Sequence, residues 1–281
     1  MKITTIHADH WKMDGGVAFG VVPKTIWEKV YPEDEDNLVK ITTRCLLLCY
    51  GNRKVLFDTG MGEKRDDKYY KYKFRFDVCE ISAGLKAAGL SPAGITDVIF
   101  THLHDDHVGG AVYYDKKQQP KELFPNARYW CSSRQFKWAF DSNPRESAAF
   151  FQDNILPLQN SGRCILIEKE CHWDENIKLR IFNGHTRGQL VPFITAGSKT
   201  IVFLADFIPA LANLPPHYVP AVDIEPLLSI HEKEAFLEEA CENHYILVFQ
   251  HDFYNEACTL RRTEKGIVAD RIGNIADFFT K

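Results

Sequence analysis

The stretch THLHDDHVGG, residues 101–110, contains three histidines and two aspartates and directly follows the apolar run DVIF. Burying such groups at the end of a strand without compensation would cost several kcal/mol. In extended backbone His102 and His104 lie on the same side, since side chains alternate with period two. Asp106 and His107 then follow on the next turn. Imidazole nitrogens and carboxylate oxygens suit Zn²⁺, Mn²⁺ or Fe, so the stretch predicts a metal site.

Four other apolar runs also end in a side chain that can bind metal. They are VLFD ending in Asp58, LRIFNGH in His185, IVFLAD in Asp206 and ILVFQH in His251. Ligands bind at strand ends in α/β sheets because the loops converge there over one rim. One such residue could be chance, but five runs together predict a shared site.

The elements that must position these residues are short apolar runs separated by helical patterns. Strands are predicted at RCLLLCYG, KVLFDTG, DVIFTH, ARYWCS, LRIFNGH, TIVFLAD and YILVFQHD. Each run is rich in Val, Ile, Leu or Phe and closes on a turn or a polar group. Because strands and helices interleave along the whole sequence, we expect a single α/β domain over residues 1–281.

Helix starts are predicted from capping residues. Ser132 with Gln135, and Ser229 with Glu232, have the spacing of a capping box, in which each end of the pair accepts a backbone N–H of the first turn. Asn143, followed directly by proline, predicts a third helix start ahead of RESAAFFQ.

The composition argues against several functional classes. With 45% hydrophobic and 26% charged residues, the sequence is ordinary globular material, and its net charge of −4 argues against a nucleic-acid-binding surface. No run approaches the about 20 apolar residues of a membrane span, and the N-terminus lacks an apolar signal segment. The eight cysteines form no CxxC pair and are expected to pack as buried thiols. These features predict a cytoplasmic protein without nucleic-acid or membrane partners.

The ordered set H-x-H-x-D-H at 102–107, followed by His185, Asp206 and His251, resembles the ligand set of the metallo-β-lactamase superfamily. The resemblance implies an αββα sandwich with the metal site at one edge of the sheets. It also implies two divalent metal ions, zinc first, with manganese or iron as alternatives.

The resemblance further implies a role for each ligand. One metal would be held by His102, His104 and His185, and the other by Asp106, His107 and His251, with Asp206 bridging the two. Asp58 would support the ligand loop through hydrogen bonds and fix the orientation of an imidazole. Simple turn formation in DTG is the alternative interpretation of Asp58.

A dinuclear site of this kind points to hydrolysis. Two such ions would share a hydroxide and bring the pKa of its parent water toward neutrality, so that it attacks a carbonyl or phosphoryl centre. Asp106 could take a proton after the attack. The bridging residue is Asp206, where true β-lactamases of the superfamily carry cysteine, which argues against antibiotic hydrolysis.

Two flanking segments resemble the branch of N-acyl homoserine lactonases and methyl parathion hydrolase. They are GGVAFGVVPKTIWEKVYPEDEDN, residues 15–37, and ADFIPALANLPPHYVPAVDIEP, residues 205–226. This resemblance implies a small ester as substrate, a lactone such as an N-acyl homoserine lactone above all, and leaves a homodimer open. His217 and Tyr218 are candidate donors to the leaving group or the oxyanion, with packing alone as the alternative.

Three other functions stay open. A phosphotriesterase or phosphodiesterase would use the same metal ligands. A metal-stabilised binding protein without turnover would also keep them, although the intact Asp206 argues against it. A nuclease is weaker, since the acidic balance shows no basic surface for the phosphate backbone.

Overall fold

The computed structural model describes residues 1–279. Their contacts divide the chain into two compact units: Met1–Trp11 with Thr42–Lys169, called the first unit, and Lys12–Ile41 with Glu170–Lys281, called the second unit. Each unit combines β-strands with helices, so the predicted α/β class is confirmed. The single domain over 1–281 stays a prediction.

The described strands are β1 (Lys2–Asp14), β2 (Leu38–Tyr50), β3 (Arg53–Phe57), β4 (Asp97–Ile99), β5 (Val112–Tyr114), β6 (Pro120–Glu122), β7 (Arg128–Ser132), β8 (Cys164–Ile167), β9 (Cys171–His172), β10 (Ile177–Phe182), β11 (Gln189–Ala196), β12 (Lys199–Phe203), β13 (Ile246–Val248), β14 (Ala257–Thr263) and β15 (Gly266–Gly273). The α-helices are α1 (Gly15–Phe19), α2 (Lys24–Trp27), α3 (Asp67–Tyr72), α4 (Ile81–Ala87), α5 (Asp105–Val108), α6 (Ser133–Phe140), α7 (Gln152–Asn160) and α8 (Pro226–Glu242). Within residues 1–279 no helix has both the length and the apolar character needed to cross a membrane.

The first unit is built on a six-stranded sheet with the order β1-β2-β3-β4-β7-β8. Strands β3, β4, β7 and β8 run parallel to one another, and β2 is antiparallel to β3. Every side chain of β4 is buried, as expected for a strand in the middle of a parallel sheet. Leu56 and Val98 of this sheet share a core with Leu85 of α4 and Leu158 of α7.

The second unit is built on a seven-stranded sheet with the order β15-β14-β13-β12-β11-β10-β9. Strand β12 is parallel to β13, whereas β11 is antiparallel to both β10 and β12. Strands β10, β12 and β13 therefore run in one direction. Val202 and Leu247 of this sheet belong to a core that includes Phe236 and Leu237 of α8.

Each of the seven predicted strands is present, but the predicted helix starts fare differently. Ser132 caps α6 and accepts the backbone N–H of Gln135 at 3.0 Å, which confirms that start. The start at Ser229 is wrong, because α8 begins at Pro226, whose fixed φ suits the first helical turn.

The helix predicted after Asn143 is also wrong. Only a short 3-10 turn forms there, at Ser147–Ala149. The Asn143 side chain accepts the backbone N–H groups of Arg145 at 2.9 Å and Glu146 at 3.1 Å, which makes a turn instead of a helix cap.

The stretch 101–110 is fixed by close backbone contact with the loop that follows β3. The N–H of Gly110 donates to the carbonyl of Gly60 at 2.7 Å, and the N–H of Thr59 donates to the carbonyl of His107 at 2.8 Å. A Cβ at Gly110 would lie 2.1 Å from the carbonyl oxygen of Thr59. Glycine is needed at 110 because no side-chain atom fits between the two backbones.

Replacing Gly110 with alanine should therefore destabilise the protein. We expect Gly110→Ala to lower the free energy of unfolding by about 1–3 kcal/mol, because the added methyl group forces two backbone segments apart. Urea unfolding measures the change. Gly94→Ala is the matched control, since its Cβ would meet no atom closer than 3.9 Å and should change stability little. Equal stability of both variants would contradict the close contact.

Candidate metal centre

Four of the predicted ligands lie three residues beyond the end of a strand. His102 follows β4, and His185, Asp206 and His251 follow β10, β12 and β13. In the second unit these three strands run in one direction, so their ligands leave the sheet at one edge. In the first unit the parallel strands β3 and β4 bring Asp58 and His102 to one edge.

The first histidine pair has two ring nitrogens facing each other. Nε2 of His102 lies 2.9 Å from Nδ1 of His104, with ring centroids 4.4 Å apart. The other nitrogen of His104, Nε2, lies 2.8 Å from Oε1 of Glu146. The second Glu146 oxygen accepts a hydrogen bond from Nε1 of Trp138 at 2.6 Å. The buried Glu146 carboxylate therefore leaves Nδ1 of His104 as the nitrogen available for a cation.

The second pair of the first unit is His107 with Asp106. Nε2 of His107 lies 3.6 Å from Oδ1 of Asp106. Its Nδ1 lies 3.0 Å from Oδ2 of Asp58, which also accepts the hydroxyl of Thr101 at 2.7 Å. The other Asp58 oxygen accepts the Thr101 backbone N–H at 2.8 Å. Asp58 thus fixes the His107 ring with Nε2 directed toward Asp106.

In the second unit Asp206 lies between two imidazoles. Its Oδ2 is 3.1 Å from Nε2 of His185, and its Oδ1 is 2.8 Å from Nε2 of His251. One carboxylate thus offers a different oxygen to each ring. The preceding Ala205 has a φ of 48°, a left-handed conformation that costs about 1–3 kcal/mol outside glycine.

His185 also has a carboxylate on its other nitrogen. Its Nδ1 lies 2.9 Å from Oδ1 of Asp223, and the second Asp223 oxygen accepts the hydroxyl of Ser229 at 2.6 Å. Burial by itself lowers the pKa of His185, but Asp206 and Asp223 outweigh it and raise that pKa to about 10. These carboxylates favour positive charge at the imidazole. Since a ligating imidazole must be neutral, a metal cation would replace the proton there.

The residues present fit a divalent cation. All seven predicted ligands are among the histidines and aspartates whose side-chain atoms could hold a metal ion. Six of them are buried, and Asp206 is partly buried. In zinc, manganese and iron sites, a ligating imidazole has a carboxylate at the ring nitrogen that does not bind the metal. Its other nitrogen faces the metal and the ligand carboxylates. The surroundings here are of that kind.

The two candidate donors lie on the segment between Asp206 and α8. His217 is exposed and Tyr218 is partly buried. Their rings contact each other edge to face, with centroids 4.9 Å apart. The imidazole of His217 is therefore accessible to solvent.

Sequence reasoning missed Glu146 and Asp223. Neither residue ends an apolar run, and they lie 42 and 38 positions from the histidines they contact. A ligating histidine needs a partner for its second nitrogen, so two such acids were to be expected. Nothing in the sequence distinguishes them among the 38 acidic residues.

Comparisons with known proteins give one family match and several matches to solved structures. The metallo-beta-lactamase superfamily profile matches residues 41–237. A probable metal-dependent hydrolase from Staphylococcus aureus superimposes with a TM-score of 0.88 at 28% identity, covering 96% of this chain and 95% of that chain. AidC, a dizinc quorum-quenching lactonase in complex with a product, gives a TM-score of 0.79 at 19% identity, covering 97% and 95%.

A third structure is a mutant of B. thuringiensis AiiA with N-decanoyl-L-homoserine bound at its active site. It gives a TM-score of 0.70 at 20% identity, covering 90% of this chain and 93% of that chain. Likeness to AidC and AiiA at this identity shows a shared fold. No curated protein matches the chain.

The Glu146 contact generates a prediction. We expect Glu146→Gln to weaken divalent-metal binding about 10–100-fold, because the neutral amide no longer fixes and polarises the His104 ring. Competition with a chromophoric chelator measures the dissociation constant. Glu168→Gln is the control, since Glu168 accepts a hydrogen bond from Ser133 at 2.7 Å and is not bonded to a predicted ligand among the described residues. Unchanged affinity in Glu146→Gln would exclude this role.

Proposed function

The chain belongs to the metallo-beta-lactamase superfamily, and we propose on that basis that it is a metal-dependent hydrolase of a small ester. The proposed substrate class is a lactone such as an N-acyl homoserine lactone. The observation that carries the proposal is that three buried imidazoles each have one ring nitrogen at hydrogen-bond distance from a carboxylate. The pairs are His104 with Glu146, His107 with Asp58 and His185 with Asp223.

We propose that the seven predicted ligands serve one pair of divalent cations. His102, His104 and His185 would hold one cation, Asp106, His107 and His251 the other, and Asp206 both. Support comes from the superfamily membership and from the two oxygens of Asp206, each of which faces a different imidazole. When bound, such a pair would lower the pKa of a water molecule and so supply the nucleophile for hydrolysis.

The protein's own residues would manage the protons of this reaction. Hydrolysis of a lactone adds water to the carbonyl carbon, breaks the ring C–O bond and leaves an alkoxide that needs a proton. Asp106 would accept the proton released by the attacking water. His217 or Tyr218 would donate a proton to the departing oxygen or a hydrogen bond to the oxyanion.

The lactone class is supported by three observations. AidC and AiiA, which share the fold, were solved with homoserine products or ligands bound. The segments 15–37 and 205–226 resemble the lactonase branch in sequence. The net charge of −4 suits a small neutral substrate better than a nucleic acid.

We also propose a cytoplasmic location, without membrane partners, and a homodimer as the assembly to be tested. All eight cysteines are free thiols, as expected in a reducing compartment. Size-exclusion chromatography with light scattering decides between monomer and dimer.

Metal removal tests the proposed function directly. We expect a chelator-treated protein to lose turnover of N-acyl homoserine lactones, and Zn²⁺ or Mn²⁺ to restore it at about two ions per chain. Calorimetry and elemental analysis give the stoichiometry, and a lactone and aryl ester panel gives kcat/KM. Full activity in metal-free protein would refute the proposal. A higher kcat/KM for a paraoxon-like phosphotriester would favour the organophosphate hydrolase instead, and metal binding without any turnover would favour a binding protein.

The proton donors give a second prediction. If Tyr218 donates to the leaving oxygen, Tyr218→Phe should lower kcat about 10²–10⁴-fold while metal stoichiometry stays unchanged. His217→Gln tests the neighbouring ring in the same way. A leaving-group series separates general acid catalysis from packing, because only loss of an acid makes the rate depend more steeply on leaving-group pKa. If both variants keep the wild-type rate, neither residue is the donor.

A further inference from the structure

Three residues on one face of α8 make polar contacts with other segments of the second unit. Ser229, Glu232 and Lys233 are spaced i, i+3 and i+4, so they lie side by side on the helix surface. Ser229 and Lys233 are buried, at 2% and 1% exposure. None of the three is among the predicted metal ligands.

Glu232 holds the loop that carries His185. Its carboxylate accepts the backbone N–H of Asn183 at 3.0 Å and that of Gly184 at 3.0 Å. These N–H groups follow directly on β10, where the sheet ladder ends. The loop also approaches the helix backbone itself, since a Cβ at Gly184 would lie 2.6 Å from Cα of Ser229. The position of His185 relative to α8 is therefore set at backbone level.

Ser229 acts on the same histidine through a carboxylate. Its hydroxyl donates to Oδ2 of Asp223 at 2.6 Å, and Oδ1 of Asp223 lies 2.9 Å from Nδ1 of His185. The hydroxyl occupies one carboxylate oxygen and leaves the other for the imidazole. This arrangement fixes the plane of the His185 ring and directs its Nε2 toward Asp206.

Lys233 contacts a different segment. Its ammonium donates to the carbonyl oxygens of Asn213 at 2.6 Å, Pro215 at 3.1 Å and Tyr218 at 3.1 Å. Apart from a 3-10 turn at Leu211–Asn213, this part of the chain forms no regular structure within the described residues. Three carbonyls bound to one buried amine tie residues 213–218, which include His217, to α8.

We infer that α8 is a positioning element with two separable roles: Ser229 and Glu232 position the His185 ligand, and Lys233 positions segment 213–218 with its candidate proton donors. The three residues act through others and touch neither metal nor substrate. The inference deepens the proposed function and rests on it for the role of segment 213–218, whereas the His185 part concerns metal binding alone.

Metal affinity tests the first role. We expect Ser229→Ala and Glu232→Gln each to weaken divalent-metal binding about 10-fold or more in chelator competition, because Asp223 loses its hydroxyl donor in the first variant and the N–H groups beside His185 lose their charged acceptor in the second. Glu234→Gln, an exposed site on the same helix, is the matched control and should leave affinity and turnover unchanged. Wild-type affinity in both Ser229→Ala and Glu232→Gln would overturn this role.

A double-mutant cycle distinguishes the relay from a general loss of packing. If Ser229 acts through Asp223, then Ser229→Ala should weaken metal binding in the wild-type background but have little further effect in Asp223→Asn. Effects that simply add would show that Ser229 acts by another route and would overturn the relay. Zn²⁺ or Mn²⁺ alone is the probe, so the result does not depend on the substrate.

The second role predicts a loss of turnover without a loss of metal affinity. We expect Lys233→Met to lower kcat/KM for a lactone at least 10-fold while metal affinity stays within about 2-fold of wild type. Lys233→Arg keeps donors on a long side chain and should recover part of the loss, which also covers the case in which Lys233→Met does not fold. Weakened metal binding in the folded Lys233 variants, or unchanged kcat/KM, would overturn the separation. Absence of lactone turnover in the wild type would instead refute the proposed function and leave the metal results interpretable.

Discussion

The hydrogen bond between an imidazole and a buried carboxylate is the interaction on which the candidate centre depends. A neutral imidazole has one donor and one acceptor nitrogen, and a carboxylate on the first fixes which nitrogen keeps its lone pair. Glu146 makes this choice for His104, and Asp223 makes it for His185. The same carboxylates accumulate negative charge in a buried region, which is stable only with compensating positive charge. Geometry and charge thus both favour a cation.

The backbone around these residues is held in costly conformations. Asp58 and Ala205 have φ values of 59° and 48°, which non-glycine residues adopt at a cost of about 1–3 kcal/mol each. Asp58 directly follows a strand, and Ala205 directly precedes a predicted ligand. The strained residues therefore lie where the backbone must orient functional side chains. The strands next to each residue tolerate this strain, since their apolar residues are almost fully buried. Cores that are well packed therefore stabilise loops that are not in their preferred conformation.

The sequence predicted the parts of the fold that local pattern controls. Short apolar runs predicted the strands that carry the ligands, because such a run must be buried and a polar residue ends it. Strand β1 escaped prediction since KITTIHADHWKMD is mostly polar, and its pairing in the sheet overrides local preference. The partners Glu146 and Asp223 escaped for a different reason. Their role depends on contacts across about forty residues of chain, and local patterns contain no information about such distances.

The start of α8 was misjudged for a reason that also applies to the ligand loops: backbone N–H groups that lack a partner need an acceptor. Ser229 and Glu232 have the spacing of a cap, but a side-chain oxygen accepts whichever backbone N–H groups lack partners, and spacing does not reveal where those are. Where strands end, the sheet no longer satisfies the backbone, so every ligand loop needs an acceptor from elsewhere.

Buried or half-buried carboxylates meet part of this need. Asp58 accepts the N–H of Thr101 after β4, and Glu232 accepts those that follow β10. Asp252 accepts the N–H of Leu211 after β12 and that of Tyr254 after β13. When ligands lie beyond strand ends, carboxylates are needed for two purposes. Some accept the backbone N–H groups of the loops, and others accept hydrogen bonds from the imidazoles. A protein that binds metal at a sheet edge must meet both demands with side chains that the ligand motif itself does not contain.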